Sequence, residues 1–282
     1  MKSVNRKRKI IIAVILILTL FFTWIIWTNL AIKTSDITIE NNKIPEEFNN
    51  FKIAQVSDLH NRKLGDKLIK IIQNESPDII VVTGDLVDSS HTDFDTAMEF
   101  IGSAIKIAPV YYVTGNHEAW LNNFEDLEKR LTDSGVHVLD NKCQWLTKGD
   151  AKINIAGVKD PDFIERTSLD GIQGAIVTES LKPLLNNEYY NIVLSHRPEL
   201  FEEYVNMQAD LVLTGHAHGG QIRIPFVGGL IAPNQGFFPH YTEGVYSKDS
   251  TDMVVSRGLG NSVIPVRVNN TPELVMITLI KV

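Results

Sequence analysis

The hydrophobic residues of this 282-residue chain follow two different patterns. Residues 10–32 form one uncharged apolar stretch without a polar face, and a helix of this length spans the roughly 30 Å hydrocarbon core of a bilayer. From residue 51 onward, short apolar runs alternate with segments whose apolar residues recur at helical spacing. The pattern predicts an N-terminal apolar helix followed by an α/β domain.

In the first half of the domain the alternation is regular. Fully apolar runs predict strands buried on both faces, and the amphipathic segments between them predict helices. The expected strands are Phe51–Val56, Ile79–Thr83 and Val110–Thr114, and the expected helices are Leu64–Gln73, Phe94–Ile107 and Phe124–Ser134. Gly135 follows the last helix at the position typical of a C-terminal cap.

In the second half strands predominate. Short strands with intervening turn residues are expected from Val136 to Val158, and a helix at Leu169–Leu185 contains the unfavourable Gly174 and Pro183. The later strands are expected at Asn191–Ser195, Leu211–Thr214, Met253–Ser256 and Glu273–Val282. This distribution favours two sheets packed face to face with helices outside.

Residues 1–33 are interpreted as a basic N-terminus and a transmembrane anchor. Trp24 and Trp27 lie near the far end of the apolar stretch, where indole rings favour the membrane interface. The basic residues before that stretch are Lys2, Arg6, Lys7, Arg8 and Lys9. By the positive-inside rule we expect a single-pass protein of the cell membrane with a cytoplasmic N-terminus. Residues 34–50 then form a juxtamembrane link, and residues 51–282 form an extracytoplasmic domain.

A cleaved signal peptide is the alternative interpretation of the N-terminus. Such peptides have a shorter apolar region of about 7–15 residues and a cleavage site of small residues. The exit sequence Trp27-Thr28-Asn29-Leu30-Ala31 is a poor match to that site. The basic cluster also lacks adjacent arginines, so a twin-arginine export signal has little support.

Charge restricts the partners of the domain. Of the 27 basic residues, six lie in residues 1–33 with no acidic residue, which leaves 21 against 34 acidic residues and a formal charge of −13. So acidic a domain excludes a broad basic surface for nucleic acid. An anionic substrate must be attracted locally, and bound cations are the natural means. Cys143 is the single cysteine, so an intrachain disulfide is excluded.

Short polar clusters follow several of the expected strands, where open α/β folds place their ligand sites. These clusters are Ser57-Asp58-Leu59-His60, Gly84-Asp85-Leu86-Val87-Asp88, Gly115-Asn116-His117-Glu118, Leu194-Ser195-His196-Arg197 and Gly215-His216-Ala217-His218. Mixed carboxylate, amide and imidazole ligands suit Mn, Fe or Zn better than Ca or Mg. The clusters predict a site with room for two ions, and the Asp85 carboxylate is expected to bridge them with its two oxygens.

The order of the clusters carries a specific resemblance. D-x-H, G-D-x-x-D, G-N-H-E, a lone His and G-H-x-H across residues 51–221 resemble the calcineurin-like metallophosphoesterase superfamily. Gly219-Gly220-Gln221 and the tail Ser256–Asn261 further resemble its bacterial membrane-associated branch, with phosphodiesterases similar to those that act on UDP-diacylglucosamine. The resemblance implies a metal-dependent phosphoric ester hydrolase with a four-layer α/β/β/α sandwich.

The resemblance also implies a role for each cluster. One divalent ion would take Asp58, His60, Asp85 and His218, and the other would take Asp85, Asn116, His196 and His216. Two such ions activate a bridging water as hydroxide for attack on phosphorus and hold the phosphate oxygens. His117 would be catalytic without binding metal, either contacting the phosphoryl group or protonating the leaving oxygen, and Glu118 would orient its ring.

Candidate substrate contacts are less specific. Arg197 and Arg257 are expected to bind a phosphate oxygen, and His240 is a candidate for the lining of the pocket. Asp88 either orients a metal ligand or caps a turn. His91 is interpreted as a solvated loop residue and His137 as structural.

The apolar segment Ile222–Ile231 and the pair Phe237-Phe238 have two interpretations, a lip that faces the bilayer and ordinary core, of which core is slightly preferred. The sequence as a whole indicates a membrane-anchored phosphodiesterase of a lipid-linked or cell-envelope phosphoester. An extracellular nucleotide phosphohydrolase and a non-catalytic, metal-dependent cell-wall-binding protein are the alternatives.

Overall fold

The computed structural model describes residues 2–64, 66–164, 172–261 and 265–282. A long helix α1 (Lys2–Leu30) begins the chain. Its part from Arg6 to Leu30 is long and apolar enough to cross a membrane, judged by length and composition, and its most apolar window is not buried against the rest of the protein. The remaining described residues form two six-stranded β-sheets, two small hairpins and six further α-helices.

The elements alternate between strands and helices in the first half and are mainly strands in the second. In chain order the strands are β1 (Lys33–Asn41), β2 (Phe51–Val56), β3 (Ile79–Thr83), β4 (Val110–Val113), β5 (His137–Val138), β6 (Lys142–Lys148), β7 (Ala151–Gly157), β8 (Asn191–Leu194), β9 (Leu211–Thr214), β10 (Arg223–Ile224), β11 (Gly228–Gly229), β12 (Ile231–Ala232), β13 (Gly236–Phe237), β14 (Gly244–Lys248), β15 (Thr251–Val255) and β16 (Glu273–Lys281). The helices after α1 are α2 (Asp66–Glu75), α3 (Phe94–Ala104), α4 (Asn116–Ala119), α5 (Phe124–Asp133), α6 (Ile172–Leu181) and α7 (Phe201–Asn206).

The first sheet has the strand order β1-β16-β2-β3-β4-β5, and the second has the order β14-β15-β9-β8-β7-β6. Strands β2, β3, β4 and β5 run parallel, as do β7, β8, β9 and β15. The carboxyl ends of neighbouring parallel strands meet at one edge of a sheet, so the loops after these strands converge.

Three hydrophobic clusters divide the protein into layers. The cluster between the sheets joins side chains of both, such as Ile53 and Val81 with Ile155 and Leu213. Helices α2, α3 and α5 contribute to the cluster on the outer face of the first sheet, and α6 and α7 contribute to the cluster on the second. The result is a four-layer α/β/β/α sandwich, which confirms the expected fold.

The predicted juxtamembrane link is wrong over much of its length. Residues 33–41 form β1, which pairs in parallel with β16 along its full length. Ile39, Ile44 and Phe48 are buried in the core between the sheets, which is why the segment is held in the fold. Ile32 packs against the core of the first sheet, so the N-terminal helix ends at Leu30 rather than at the predicted end of the apolar stretch.

Most other predicted elements are found within a few residues of their expected bounds. The strands at 51–56, 79–83 and 211–214 have the predicted ends, because each is a buried apolar run that stops at a polar cluster. Residues 169–171 of the expected helix at 169–185 lie outside the described residues. Its remainder is α6 followed by a 3-10 turn at Lys182–Leu184, where Pro183 interrupts the α-helix.

Candidate metal centre

The polar clusters of both sheets meet at the carboxyl ends of their parallel strands. The loops after β2, β3 and β4 supply the side chains from the first sheet, and the loops after β8 and β9 supply those from the second. The residues brought together and buried there are Asp58, His60, Asp85, Asn116, His117, His196, His216 and His218. All seven expected metal ligands therefore lie in one cluster, with His117 beside them.

The backbone at several of these positions is unusual. Asp58, His60, Asp85, His216 and His218 all have φ between 47° and 64°, in the left-handed region that L-residues seldom adopt. Such conformations cost free energy and persist where the surrounding structure enforces them, commonly at functional sites. Five strained positions within one cluster indicate that the loops are shaped to aim these side chains at a common point.

The first group of side chains contains two carboxylates and two imidazoles. Asp58, His60, Asp85 and His218 each offer an atom, and these atoms all lie within 4.8 Å of one another. Nε2 of His60 is 3.2 Å from Nε2 of His218 and 3.5 Å from Oδ2 of Asp85. Nε2 of His218 is 3.4 Å from Oδ1 of Asp58. Ring nitrogens and carboxylate oxygens that converge in this way form a donor set suited to a divalent cation.

The second group shares Asp85 with the first. Asp85, His196 and His216 offer atoms within 4.8 Å of one another. Nε2 of His196 lies 3.2 Å from Oδ2 of Asp85, 3.1 Å from Oδ1 of Asn116 and 3.1 Å from Nδ1 of His216. Asn116 thus completes this group with a neutral oxygen, as the sequence pattern predicts.

Asp85 joins the two groups through one oxygen. Oδ2 lies within 3.5 Å of the His60 nitrogen on one side and within 3.2 Å of the His196 nitrogen on the other. Oδ1 is turned away and accepts the backbone N–H of His117 at 2.8 Å. Each oxygen of Asp85 thus has a different neighbourhood, and the expectation that both oxygens bridge two ions stays a prediction.

Hydrogen bonds outside the groups fix the orientation of individual ligands. Nδ1 of His196 lies 2.8 Å from the carbonyl oxygen of Thr83 and donates its proton there, which directs Nε2 to the cluster. The Asp58 carboxylate accepts the backbone N–H of His216 and the hydroxyl of Ser57. The two sheets are thereby joined at the site itself.

Burial and charge set the protonation of the cluster. Burial lowers the pKa of His60 to about 4, and it takes the pKa values of His216 and His218 well below their usual range. Burial also lowers the pKa of His196, but the Asp85 carboxylate outweighs it and raises the pKa to about 10. The lowered pKa values keep His60, His216 and His218 neutral, which is the form of imidazole that binds metal. The raised pKa of His196 shows that the Asp85 carboxylate stabilises positive charge at this point, as it would stabilise a bound cation. The donor set therefore fits two divalent cations.

Glu118 has a different role from the expected one. Its carboxylate accepts the backbone N–H groups of Asp85 at 2.8 Å, Gly115 at 2.7 Å and Val87 at 3.2 Å. It is fully buried and holds the β3 and β4 loops together, which positions Asp85. The prediction that Glu118 orients the ring of His117 is not what the hydrogen bonds show, because its oxygens are directed to these three N–H groups.

The ring of His117 is held from the other side. The backbone N–H of Ser89 donates to Nδ1 at 3.1 Å, and the indole of Trp120 packs against the ring at 5.0 Å between centroids. The Nε1–H of Trp120 in turn donates to Asp162 at 3.1 Å. Since Nδ1 accepts a hydrogen bond, the neutral imidazole carries its proton on Nε2.

Arg197 is buried, and its guanidinium is paired with carboxylates of the protein. Nε and Nη2 form a bidentate pair with Asp160, both at 2.7 Å, and Nη2 also lies 3.0 Å from Asp162. Nη1 is 3.3 Å from Nε2 of His216 and 3.6 Å from Glu199. These contacts hold the guanidinium beside the ring of His216 at the wall of the cavity, and the expected contact with a substrate phosphate stays a prediction.

Arg257 and His240, the two other predicted substrate contacts, each pack against side chains of the protein. Arg257 pairs with Glu243 at 2.6 Å and with Glu273 at 3.3 Å, so its guanidinium is also neutralised. His240 is exposed and packs against the rings of Tyr241 and Tyr246. Both arginines are thus held by carboxylates of the protein, and a phosphate contact by either of them or by His240 stays a prediction.

The remaining histidine and carboxylate predictions agree with the structure. Oδ1 of Asp88 accepts the N–H groups of Ser90 and His91, while its Oδ2 lies 3.7 Å from Nδ1 of His60. Asp88 therefore both caps a turn and faces a candidate metal ligand. With His60 and His117 it forms a third set of side chains whose ligand atoms lie within 4.8 Å of one another. His91 is exposed on its loop, and His137 stacks on Tyr111.

A cavity of about 140 Å³ opens beside the cluster. Its walls include the side chains of Asp85, Asn116, His117, Trp120, Asp162, Arg197, His216, His218, Pro233 and Asn234. The contributions of Trp120, Asp162 and Asn234 were not predicted from the sequence. Trp120 follows the G-N-H-E cluster by two residues, and this proximity was the one signal that could have identified it.

Comparisons with known proteins agree with this geometry. Residues 51–220 match the calcineurin-like phosphoesterase family. The chain belongs to this family. It is therefore a metal-dependent phosphoric ester hydrolase, and the cluster of Asp58, Asp85 and the surrounding histidines is its candidate metal-binding cluster.

Named relatives span most of the chain. The uncharacterized metallophosphoesterase YkuE of Bacillus subtilis is 33% identical over 88% of this chain and 85% of its own. The phosphodiesterase YaeI of Escherichia coli is 27% identical over 82% of each chain. A transmembrane protein with metallophosphoesterase domain from Danio rerio is 27% identical over 88% of this chain and 57% of its own length.

Proposed function

We propose that the chain is a membrane-anchored phosphodiesterase with two metal ions, whose substrate is a phosphodiester at the membrane surface. One ion is held by Asp58, His60, Asp85 and His218, and the other is held by Asp85, Asn116, His196 and His216. The observation that carries the proposal is the position of Asp85 Oδ2 between the two groups of ligands. The nitrogen-rich ligand set suits Mn, Fe or Zn.

Two ions at this site supply a water nucleophile of lowered pKa and positive charge for the phosphoryl oxygens. The protein positions the substrate and donates hydrogen bonds to it. Nε2–H of His117 is available as a donor to a phosphoryl oxygen, because the Ser89 N–H occupies Nδ1 and keeps the proton on Nε2. Of the two roles considered for His117, this arrangement supports contact with the phosphoryl group.

The charge of the cavity supports a diester rather than a monoester. Among the described residues that line it, Arg197 is the single arginine or lysine, and its charge is compensated by Asp160, Asp162 and Glu199. A monoester dianion needs more positive charge than a diester monoanion. Because the charge of Arg197 is already neutralised, only the metal ions would balance the charge of the substrate. They would balance the single negative charge of a diester better than the two negative charges of a monoester.

The N-terminal helix supports a location at the membrane. Its apolar stretch is exposed along its length, and the Danio rerio relative is named a transmembrane protein. We infer that α1 is an uncleaved anchor and that the basic N-terminus stays in the cytoplasm, with the catalytic domain on the outer face. A lipid-linked or cell-envelope phosphodiester is then the accessible substrate, and the acidic domain does not bind nucleic acid.

Activity is tested with soluble esters on the full-length protein in detergent. Bis-p-nitrophenyl phosphate and p-nitrophenyl phosphate are compared with Mn added, for wild type, Asp85→Ala and the control His137→Gln. We expect diester turnover in wild type and the control and none in Asp85→Ala. Metal binding without Asp85-dependent turnover would instead support a non-catalytic, metal-dependent cell-wall-binding protein.

Location is tested separately in spheroplasts of cells that express the full chain. External protease is expected to digest the domain, and alkaline carbonate is expected to leave α1 in the membrane. Protection of the domain would place it in the cytoplasm, and extraction by carbonate would show that α1 does not anchor it.

An extracellular nucleotide is the second candidate substrate, and Trp120 is the observation that favours it. Its indole is 41% exposed beside His117 and lines the cavity, where it could stack on a base. Hydrolysis of nucleotide diesters is compared with that of phospholipid head groups in wild type and Trp120→Ala. A nucleotide preference that is lost in Trp120→Ala would favour this candidate over the lipid substrate.

A further inference from the structure

Residues 222–238 form a lobe of two short hairpins beside the metal centre. The lobe comprises β10 paired with β11 and β12 paired with β13. The sequence from Ile224 to Pro239 contains no charged residue, although the chain as a whole is 22% charged. A long uncharged surface segment is therefore the first unusual property of this lobe.

The second property is the exposure of its large side chains. The exposed fractions are 109% for Phe226, 71% for Phe237 and 64% for Phe238, and Val227 and Ile224 are exposed as well. The preference for an ordinary core at Phe237-Phe238 was therefore wrong. Phe226 and Phe238 also have φ of 65° and 55°, an uncommon conformation for bulky residues. Exposed aromatic groups on an uncharged surface mark an interaction site.

The lobe is connected to the end of α1 by hydrogen bonds through Arg267 and Val268. The side chain of Asn29 exchanges two hydrogen bonds with the backbone of Arg267, of 2.8 and 2.9 Å. The next residue, Val268, accepts the backbone N–H of Arg223 at 2.9 Å and forms a β-bridge with Ile222. The base of the lobe and the end of the apolar helix are thus bonded to two adjacent residues, Arg267 and Val268.

Basic side chains surround the same end of α1. Arg62 donates to the carbonyl oxygen of Asn29, and Lys67 donates to the carbonyl oxygen of Leu30 at 3.1 Å. Lys63 lies beside Arg62 in the chain; its side chain is 74% exposed and forms a surface ion pair of 3.6 Å with Asp93. A domain with a formal charge of −13 therefore presents a local basic group next to the apolar helix, where lipid phosphates would lie.

The lobe also forms a wall of the catalytic cavity. Pro233 and Asn234 lie on it between β12 and β13, and both line the cavity with His117 and His218. A membrane or molecule that contacts the lobe would therefore lie next to the cavity beside the metal centre.

From these observations we propose that the aromatic lobe inserts into the interface of the bilayer that α1 spans, and that it opens the metal centre toward lipid head groups. Phe226, Phe237 and Phe238 are the inserted side chains, since aromatic groups favour the interfacial region. The substrate class is a phosphodiester in the head group of a membrane lipid. This inference rests on the proposed membrane location, and its test has a readout that is independent of catalysis.

The test uses the full-length chain in nanodiscs that contain lipids spin-labelled near the head group. A fluorophore is attached to Phe226→Cys or Phe237→Cys in a Cys143→Ser background, and quenching by the lipid is measured. The control is the native Cys143, which is exposed on β6 at the edge of the second sheet. We expect quenching at 226 and 237 to be several times greater than at 143.

Equal quenching at the lobe and at Cys143 would overturn the inference. A blue-shifted fluorophore at position 226 without lipid quenching would also overturn it, because the lobe would then be buried against a second copy or another protein. Failure of the chain to integrate, shown by carbonate extraction, would contradict the membrane location itself. The two failures are therefore distinguishable.

A second measurement links the lobe to catalysis. The ratio of turnover on a phosphodiester lipid in vesicles to turnover on bis-p-nitrophenyl phosphate is compared for wild type and Phe226→Ser/Phe237→Ser. We expect the ratio to fall several-fold in the variant, whose melting temperature confirms that it is folded. An unchanged ratio would contradict the proposed opening of the site toward the bilayer.

Discussion

The backbone N–H of Ser89 donates a hydrogen bond to Nδ1 of His117 at 3.1 Å, which selects the ring tautomer with a proton on Nε2. The donor is part of the backbone and cannot be removed by changing a side chain. His117 is thereby presented to the cavity as a hydrogen-bond donor, while the neighbouring histidines direct ring nitrogens to the two groups of candidate ligands.

The first prediction concerns His117. We expect His117→Ala to lower kcat by roughly 10²–10³-fold, the loss typical of removing one donor to a developing oxyanion. The metal content should stay at the wild-type value, because His117 is not among the proposed ligands. Steady-state kinetics and elemental analysis check both parts. A His117→Ala protein that loses a metal ion would identify His117 as a ligand, in the group that it forms with His60 and Asp88.

The second prediction concerns the close packing of Gly115 against Asp85. A Cβ on Gly115 would lie 2.3 Å from Oδ1 of Asp85, so Gly115→Ala must displace the Asp85 carboxylate. We expect a loss of roughly 1–3 kcal/mol in the free energy of unfolding, as for other overpacked positions, together with weaker metal binding. Chemical denaturation and metal titration measure these effects.

Gly102 provides the matched control for Gly115. It lies in α3, and a Cβ there would meet no atom within 4 Å. Gly102→Ala should stabilise the helix by about 0.5–1 kcal/mol and leave metal binding unchanged. Equal behaviour of the two variants would contradict the packing argument.

The third prediction separates a structural role of Arg197 from a role in substrate binding. Arg197→Met leaves the buried Asp160 carboxylate without its partner, which typically costs roughly 3–5 kcal/mol. The exposed pair of Arg130 with Asp126 is the control, and Arg130→Met should change stability little. If Arg197→Met instead raises KM strongly without loss of stability, the guanidinium binds substrate after all.

The fourth prediction is a pH dependence of stability that arises at Asp140. Burial raises the pKa of this carboxyl from 3.8 to about 6, although the N–H of Thr114 acts in the opposite direction. The folded state therefore holds its proton more tightly than the unfolded state. The resulting stabilisation is complete below pH 3.8 and is lost as the pH rises to about 6, by roughly 3 kcal/mol.

Asp140→Asn removes this titration and keeps an oxygen that can accept from Thr114. The free energy of unfolding of the variant minus that of wild type should therefore increase between pH 4 and pH 6. Denaturation of both proteins at several pH values measures the difference, in which contributions common to both cancel. Parallel curves for the two proteins would show that Asp140 does not titrate in this range.

Much of the site could be predicted because metal ligands leave short polar clusters at the ends of apolar strands. The order of these clusters identified the family. It also singled out seven candidate ligands, all of which lie together in the structure. The hydrogen bond from the backbone N–H of His117 to Oδ1 of Asp85 could not be predicted, since it depends on how the loop after β4 packs against the loop after β3. The partners of Arg197 were also missed, because Asp160 belongs to a loop that no motif marks.

The fold was predicted best where strands are buried on both faces and less well at the edges. β1 has only a partial alternation of apolar residues, and its partner β16 lies at the other end of the chain. Its pairing is therefore a long-range property without a local signal. The lobe at 222–238 was misread because an apolar sequence usually indicates burial, whereas here Phe226 and Phe237 are exposed.

The central claim is that Asp85 is shared between two metal ions, and metal stoichiometry tests it most directly. Full-length wild type, Asp85→Ala and the control His137→Gln are saturated with Mn, freed of excess metal and measured by elemental analysis. The account predicts two ions per chain in wild type and in His137→Gln, and less than one in Asp85→Ala, because both groups lose their common oxygen. Retention of two ions and of diester turnover by Asp85→Ala would contradict it.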